Sequence, residues 1–177
     1  MGIGAGRIGL AAAGSFHLSM SSHAFHNWQP ENIGNMNSLN HYAYGAVGEW
    51  MYGTMAGIMP DQARPGFKHI IIHPETGGTI TYARAEYDSI NGKISSHWKL
   101  EKDAFRLELR IPANTSATVY IPAESPDRIK EGGRAASQAD GVRFIKMAGS
   151  LAVFEVGSGS YRFAASIPSA APDRGKP

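Results

Sequence analysis

The residues best suited to chemistry gather in one segment, residues 37–50, which reads NSLNHYAYGAVGEW. Asn37 and Asn40 supply amides, and His41 supplies an imidazole. Rings mixed with amides and a histidine are typical of the wall of a sugar site, because a pyranose has apolar C–H faces and a rim of hydroxyls. The aromatic residues of this stretch and its continuation are Tyr42, Tyr44, Trp50 and Tyr52.

Each polar residue of this segment also has a plainer interpretation. Asn37 and Asn40 fit the start of a helix, His41 fits a satisfied surface histidine, and Glu49 fits a solvated charge. The plainer interpretation does not explain why four aromatic residues crowd the same stretch. Both interpretations stay open at this point.

The remaining histidines do not predict a metal site. His69 and His73 lie four residues apart in a predicted strand, which separates them by about 13 Å. His17, His23 and His26 lie in a Ser- and Gly-rich segment without an acidic neighbour. Cysteine is absent, which excludes disulfides, zinc–thiolate sites and thiol catalysis. We therefore expect neither a metal nor a cofactor.

Charge and hydropathy argue against two classes of partner. Lys and Arg number 17 against 15 Asp and Glu, a net charge of +2, and no basic run forms a patch for nucleic acid. No apolar run approaches the roughly 20 residues that cross a bilayer, so a membrane partner is not expected. The compartment stays undetermined.

Periodicity divides the chain into zones. Residues 1–27 have no helical or strand period and are expected to be poorly ordered. Residues 38–58 repeat apolar positions at three- and four-residue spacings, which predicts one long helix that Gly57 and Pro60 end. Residues 68–165 are strand-like, and residues 167–177 form a tail.

The strand zone predicts a mainly β fold. FRLELRIP at 105–112 alternates apolar and charged residues, so one face is buried and the other is solvated. Asn91-Gly92 between two strand-like runs predicts a hairpin with a type I′ turn. Seven or eight short strands at regular spacing indicate an antiparallel, jelly-roll-like β-sandwich.

Four motifs in order make the chain recognisable: NSLNHYAYGAVGEWMYGTMAGI, PGFKHIIIHP, A-x-A-x-Y-x-S-x-x-G-x-I-x-x-x-W at 83–98, and IPANTSATVYIP at 111–122. Over residues 28–165 the chain closely resembles the C-terminal end of bacterial alpha-L-rhamnosidases of glycoside hydrolase family 78. The resemblance implies that residues 28–65 hold the last helix of an (α/α)6 barrel and that residues 66–166 form the C-terminal β-sandwich.

The resemblance also implies a substrate and its contacts. Rhamnose-containing glycosides would be the substrates of the intact enzyme, and His41 would border the rhamnose pocket. Asn37 and Asn40, on the same segment, are the other expected substrate-binding residues.

Catalysis in that family is inverting, with one carboxylic acid as general acid and a second carboxylate as general base. The resemblance places the acid in the first half of the barrel, which this chain does not contain. It places the base in a Trp-Glu-x-Trp motif about 21 residues before the histidine, and counting back from His41 gives Met20, with no carboxylate before Glu31. No catalytic residue is therefore expected here, and the chain should be inactive alone.

Two explanations fit the missing motif. Either the N-terminus is truncated and replaced, or residues 1 to about 26 are read in the wrong frame. The second is favoured because the family pattern begins abruptly near Trp28.

Two further expectations concern the surface. The sandwich could act alone as a carbohydrate-binding or scaffold module if Trp98 and three tyrosines, Tyr82, Tyr87 and Tyr120, formed one platform, although alternation places Tyr82 opposite Tyr87. An unpartnered helix face would expose apolar surface and lead to self-association. That face consists of Leu39, Ala43, Val47, Trp50 and Ile58.

Overall fold

A computed structural model describes residues 7–12, 14–18, 47–77 and 79–167. Over these residues two β-sheets pack face to face, and one short helix lies between the second and third strands of the chain. The predicted β-sandwich is therefore confirmed. Helix α1 covers residues 47–55, and its last turn, Met51–Met55, is π-helical. The strands are β1 (Arg7–Ala12), β2 (Gly14–Leu18), β3 (Ile58–Pro60), β4 (His69–Ile72), β5 (Tyr82–Ser89), β6 (Gly92–Glu101), β7 (Ala104–Ile111), β8 (Ser116–Pro122), β9 (Ile129–Glu131), β10 (Arg134–Ala135), β11 (Val142–Ala148), β12 (Leu151–Val156) and β13 (Gly159–Ser166).

The larger sheet has eight strands in the order β10-β9-β13-β7-β6-β5-β1-β2, and the smaller has five in the order β11-β12-β8-β4-β3. Every pair is antiparallel except β4 and β8, which run parallel. Parallel neighbours need a long connection, and here the chain crosses to the larger sheet and builds β5, β6 and β7 before it returns as β8. The sandwich is thus antiparallel, as predicted, except at this pair.

The core lies between the sheets and follows the predicted alternation. In β7 the side chains of 105, 107, 109 and 111 are buried, whereas those of 106, 108 and 110 are exposed. Phe163 of the larger sheet lies 6.1 Å, between ring centroids, from Phe154 of the smaller one. Both rings belong to the same buried cluster as Ile72 and Val119, so the two sheets share one core.

The β5–β6 hairpin is confirmed, but its turn differs from the prediction. Ser89 pairs with Gly92, so the loop residues are Ile90 and Asn91, and only Gly92 has a positive φ, of 118°. The prediction of a type I′ turn centred on Asn91-Gly92 is therefore wrong. The Ser89 hydroxyl accepts a bond from the Asn91 N–H at 3.2 Å and donates to the Gly92 carbonyl at 2.7 Å. These side-chain bonds stabilise a loop displaced by one residue.

The predicted helix ends earlier than expected. It stops at Met55 rather than Ile58, and Ile58 begins strand β3, which pairs with β4. Residues 38–46 of the predicted helix lie outside the described residues. The sequence pattern suggested no element in residues 1–27, whereas the structure has β1 paired with β5 and β2 paired with β1. No helix in the described ranges is long and apolar enough to span a membrane.

Candidate functional site

Two buried hydrogen bonds form the junction between helix α1 and the sandwich. The indole Nε1 of Trp98 donates to the Met55 carbonyl at 2.7 Å, and the Ser96 hydroxyl donates to the Ala56 carbonyl at 2.8 Å. Both side chains are fully buried. The last carbonyls of a helix have no partner within it, so these two bonds fix the end of α1 to the inner face of β6.

The pattern A-x-A-x-Y-x-S-x-x-G-x-I-x-x-x-W follows from the geometry of this junction. Ala83 lies opposite Trp98, and Ala85 lies opposite Ser96, across the β5–β6 ladder. All four side chains are fully buried on the inner face. The small alanines leave room for the indole and for the helix end, which explains why the motif alternates alanine in one strand with larger residues in the next.

The turn that leaves the helix requires glycine. Gly57 has a φ of 75°, and a Cβ placed there would lie 2.2 Å from the backbone nitrogen of Pro74 and 2.5 Å from the carbonyl carbon of His73. The close approach lets the His73 N–H donate to the Gly57 carbonyl at 2.9 Å. A side chain at this position would be excluded both by conformation and by space.

A second anchor lies on the other side of the junction. The Tyr52 hydroxyl donates to the Glu86 carbonyl at 3.2 Å, and its ring meets Tyr87 edge to face at 5.9 Å. Phe67, with an unusual φ of 57°, packs on Tyr87 at 4.7 Å. Burial raises the pKa of Tyr52 to about 12, so the hydroxyl stays protonated as a donor at neutral pH.

These rings line an open, mostly apolar groove of about 490 Å³, which we call the junction groove. Trp50 also lines it, with 53% of its surface exposed, and Val47 nearby in the helix is 55% exposed. The helix face thus presents large apolar side chains to solvent, as the sequence predicted for Val47 and Trp50. Ile58, assigned to the same face, is instead buried in the sandwich, because it lies in β3. The lining of the groove is Glu49, Trp50, Tyr52, Gly53, Thr54, Ile58, Met59, Pro60, Phe67 and Tyr87.

The predicted substrate-binding residues Asn37, Asn40 and His41 lie outside the described residues. Leu39 and Ala43 of the predicted helix face lie there too. The described part of the chain therefore contains the continuation of the predicted sugar segment, from Val47 onward.

Trp98 and the three tyrosines do not form one exposed platform, as the alternation of Tyr82 and Tyr87 indicated. Trp98 is fully buried and caps the helix, so its ring offers no face to a ligand. Tyr82 lies on the outer face of β5, Tyr87 on the inner face, and Tyr120 packs on the His73 ring at 4.5 Å on the other sheet. The sequence could not distinguish a buried Trp that needs a hydrogen-bond acceptor from an exposed one that stacks on sugar.

Three surface carboxyls of the described region have a lowered pKa. A bond from the Ala63 N–H lowers the pKa of Asp61, bonds from Lys93 and Arg84 lower that of Glu86, and bonds from Arg106 and Lys99 lower that of Glu101. A general acid requires the opposite change, a raised pKa. Within the described ranges, no three His, Asp or Glu side chains are arranged to hold a metal ion.

One buried histidine has a structural environment. His69 is 2% exposed, and its Nδ1 and Nε2 lie 2.7 Å from the Ser116 hydroxyl and 2.8 Å from the Thr118 hydroxyl. Burial is the largest effect on this ring and lowers its pKa. The neutral ring, with one donor and one acceptor nitrogen, thus bridges two residues of β8 from the parallel neighbour β4.

Comparison with known proteins matches residues 57–136 to the bacterial alpha-L-rhamnosidase C-terminal domain. An alpha-L-rhamnosidase of Streptomyces avermitilis is 46% identical over 128 residues, which is 72% of this chain and 12% of that protein. One from Formosa agariphila is 39% identical over 111 residues, 63% of this chain and 12% of that protein. The chain thus spans about an eighth of the length of the curated relatives it matches.

Solved structures agree with the sequence matches. The crystal structure of Streptomyces avermitilis alpha-L-rhamnosidase complexed with L-rhamnose has a TM-score of 0.63 and 43% identity, and the match covers 78% of this chain and 12% of that one. The alpha-L-rhamnosidase of Dictyoglumus thermophilum has a TM-score of 0.62 and 30% identity, covering 75% and 15%. In these proteins the matched region is a small part of a much longer chain.

Proposed function

We infer that this protein supplies the C-terminal part of an alpha-L-rhamnosidase, because its residues 57–136 belong to the bacterial alpha-L-rhamnosidase C-terminal domain family. The resemblance drawn from its four ordered motifs is confirmed at the level of the family. The complete enzyme would remove terminal alpha-L-rhamnose from rhamnosides by inverting hydrolysis. The part played by this chain would be to form the sandwich and to hold the helix that leads to it.

The observation that carries this proposal is the bond from Trp98 to the carbonyl of Met55. The sandwich uses its largest buried side chain to cap a helix that exposes Val47 and Trp50. A helix held so firmly at one end and left apolar on its outer side is suited to pack on further helices. The proposed partner for that side is the catalytic barrel of the same enzyme.

Hydrolysis by this chain alone is not expected. The described carboxyls with a changed pKa are all more acidic than usual, and Glu86 and Glu101 are held in ion pairs. Protonating a leaving oxygen needs a carboxyl whose pKa is raised. We propose that the general acid and base belong to the barrel, and that Asn37, Asn40 and His41 approach the rhamnose from its edge.

The test compares three proteins on an aryl alpha-L-rhamnoside. They are the 177-residue chain, the Streptomyces avermitilis relative, and a chimera in which residues 28–177 replace the matching region of that relative. The chain should show no hydrolysis, and the chimera should retain activity within about tenfold of its parent.

Two outcomes would overturn the proposal. Hydrolysis by the purified chain would place catalytic groups within it. A chimera that is folded by circular dichroism yet binds no L-rhamnose would show that this chain cannot complete a rhamnosidase.

A further inference from the structure

The outer face of the eight-stranded sheet ends in a small pocket. It lies where the β5–β6 turn, the β7–β8 turn and the start of β13 meet, and its volume is about 420 Å³. We call it the tip pocket. Its lining contains no carboxylate. The polar side chains of the lining are Asn91, Lys93, Arg110, Ser158 and Ser160.

Arg110 has a distinctive position in this pocket. It points outward from β7, and its cross-strand neighbours are Ser95 on β6 and Ser160 on β13. Residues directly opposite in a ladder lie about 5 Å apart, so both serines border the base of the Arg110 side chain, and Ser160 lines the tip pocket with it. Within the described part of the chain Arg110 makes no ion pair, whereas Arg84 and Arg106 each bind a glutamate.

In the described part of the chain, the carboxylates near this row make no ion pair with Arg110. Glu86, opposite Ser95, binds Lys93 at 3.1 Å and Arg84 at 3.3 Å. Glu108, two residues before Arg110 on the same face, lies 3.9 Å from the Nδ1 of His97. The guanidinium of Arg110 is thus left to bind an external anion.

The remaining lining suits a sugar better than a bare ion. Ala113 offers exposed apolar surface, and the hydroxyls of Ser158 and Ser160 can donate and accept. The Asn91 amide donates to the Gly66 carbonyl at 2.8 Å, which fixes its orientation and leaves its oxygen as an acceptor. Apolar surface beside hydroxyls, an amide and the Arg110 guanidinium, with Lys93 held by Glu86, matches a pyranose that carries a carboxylate.

We propose that the tip pocket binds an acidic sugar, with the carboxylate of a hexuronate held by the guanidinium of Arg110. A carboxylate can accept two parallel N–H bonds from one guanidinium, and the Ser160 hydroxyl can donate to its remaining lone pairs. The inference does not depend on the proposed function, because it concerns the face of the sandwich away from its core.

The experiment titrates the 177-residue chain, isotopically labelled, with D-glucuronate, D-glucose and acetate, and follows amide shifts by NMR. D-glucuronate should move the signals of Ser95, Arg110 and Ser160 and bind at least tenfold more tightly than either other probe. Its affinity should fall as salt is raised, because the contact is between charges.

Variants separate the site from general surface charge. Arg110→Gln should weaken D-glucuronate binding at least tenfold, and Ser160→Ala should weaken it severalfold. The matched control is Arg162→Gln, which removes an outward arginine of the same sheet that does not line the tip pocket. Equal binding of D-glucose or acetate, equal loss in the control, or no binding of D-glucuronate by the folded chain would each overturn the proposal.

Discussion

The indole of Trp98 and the carbonyl of Met55 join the two parts of the described chain. Their 2.7 Å bond is fully buried, and it connects the middle of the eight-stranded sheet to the last residue of helix α1. A neighbouring bond runs from the Ser96 hydroxyl to the carbonyl of Ala56, one residue further along the helix end. The orientation of the helix is therefore set by side chains of the sheet rather than by the helix itself.

Replacing Trp98 should destabilise the sandwich as a whole. Trp98→Phe keeps a ring but removes the donor and leaves a small cavity, so we expect a loss of about 2–4 kcal/mol in the free energy of unfolding. Urea denaturation measures it. Tyr82→Phe, which removes a hydroxyl from the outer face, is the control and should change stability by less than about 0.5 kcal/mol. Equal stability of both variants would mean that the buried bond contributes nothing.

Gly57 should not tolerate any side chain. In Gly57→Ala the new Cβ would meet the Pro74 nitrogen at 2.2 Å and a φ of 75° would be strained, so we expect a loss of at least about 3 kcal/mol. Gly133→Ala is a matched control, because Gly133 has a φ of 89° but open space around its Cβ position. It should cost only about 1 kcal/mol, the conformational part. Similar losses of stability in Gly57→Ala and Gly133→Ala would exclude close packing as the cause of the effect at Gly57.

Stability should depend on pH through His69. Its pKa is lowered in the folded state, so the unfolded chain binds more protons as pH falls below the ordinary value of about 6.5. The contribution of the neutral ring is fully present above that pH and is lost as pH falls through the folded pKa. The slope should not exceed about 1.4 kcal/mol per pH unit.

The matching experiment compares the chain with His69→Gln, which can still bond to Ser116 and Thr118 but does not titrate. Denaturation at a series of pH values from about 7.5 to 5 should give a shallower slope for the variant. Other histidines contribute equally to both proteins and cancel. Parallel stability curves would show that His69 is not the group responsible. Carboxylates with lowered pKa, such as Asp61, act only at more acidic pH.

Much of the sandwich could be predicted because alternation is a local signal. The run at 105–112 identified β7 and the facing of each of its residues, since a strand with one buried face must alternate. The hairpin was recognised from Asn91-Gly92, but its register depended on the Ser89 side chain, whose bonds no propensity encodes. The parallel β4–β8 pair was missed because a pairing across 47 residues leaves no local pattern.

The junction could be predicted only in part. Ile58 continued the helical spacing of its neighbours, yet it pairs with Ile72 in a strand, because a tertiary contact outweighed the local period. Trp98 was considered for a sugar platform, whereas it is buried and caps the helix. Its burial depends on an acceptor for the indole N–H, the Met55 carbonyl, and that tertiary contact leaves no local pattern in the strand.

The exposed side of helix α1 should lead to self-association of the isolated chain. Val47 and Trp50 are both more than half exposed and lie beside the junction groove. Trp50→Lys should lower the association constant measured by sedimentation, because it places a charge in an apolar contact. Ile145→Lys, on a strand of the smaller sheet and 42% exposed, is the control. A wild-type chain that stays monomeric at high concentration would contradict this proposal.

The last prediction concerns His41 in an assembled enzyme. If His41 borders the rhamnose, its ring bonds a sugar hydroxyl or orients a catalytic carboxylate, and removing such a contact costs on the order of 2–4 kcal/mol in the transition state, about a hundredfold in rate. His41→Ala should then lower kcat/KM of the chimera that carries residues 28–177, with little change in its melting temperature.

The plainer role of His41, as part of a helix start, predicts the reverse. In that case His41→Ala would lower the melting temperature and leave kcat/KM per folded molecule unchanged. His41→Gln separates the pocket role from the helix-start role further, because an amide can replace one hydrogen bond but cannot titrate. If the imidazole acts at the pocket, this variant should restore part of the rate lost in His41→Ala and flatten the acid side of the pH profile. Equal hydrolysis of an aryl rhamnoside by the unsubstituted chimera and by its His41→Ala and His41→Gln variants would exclude His41 from the substrate site.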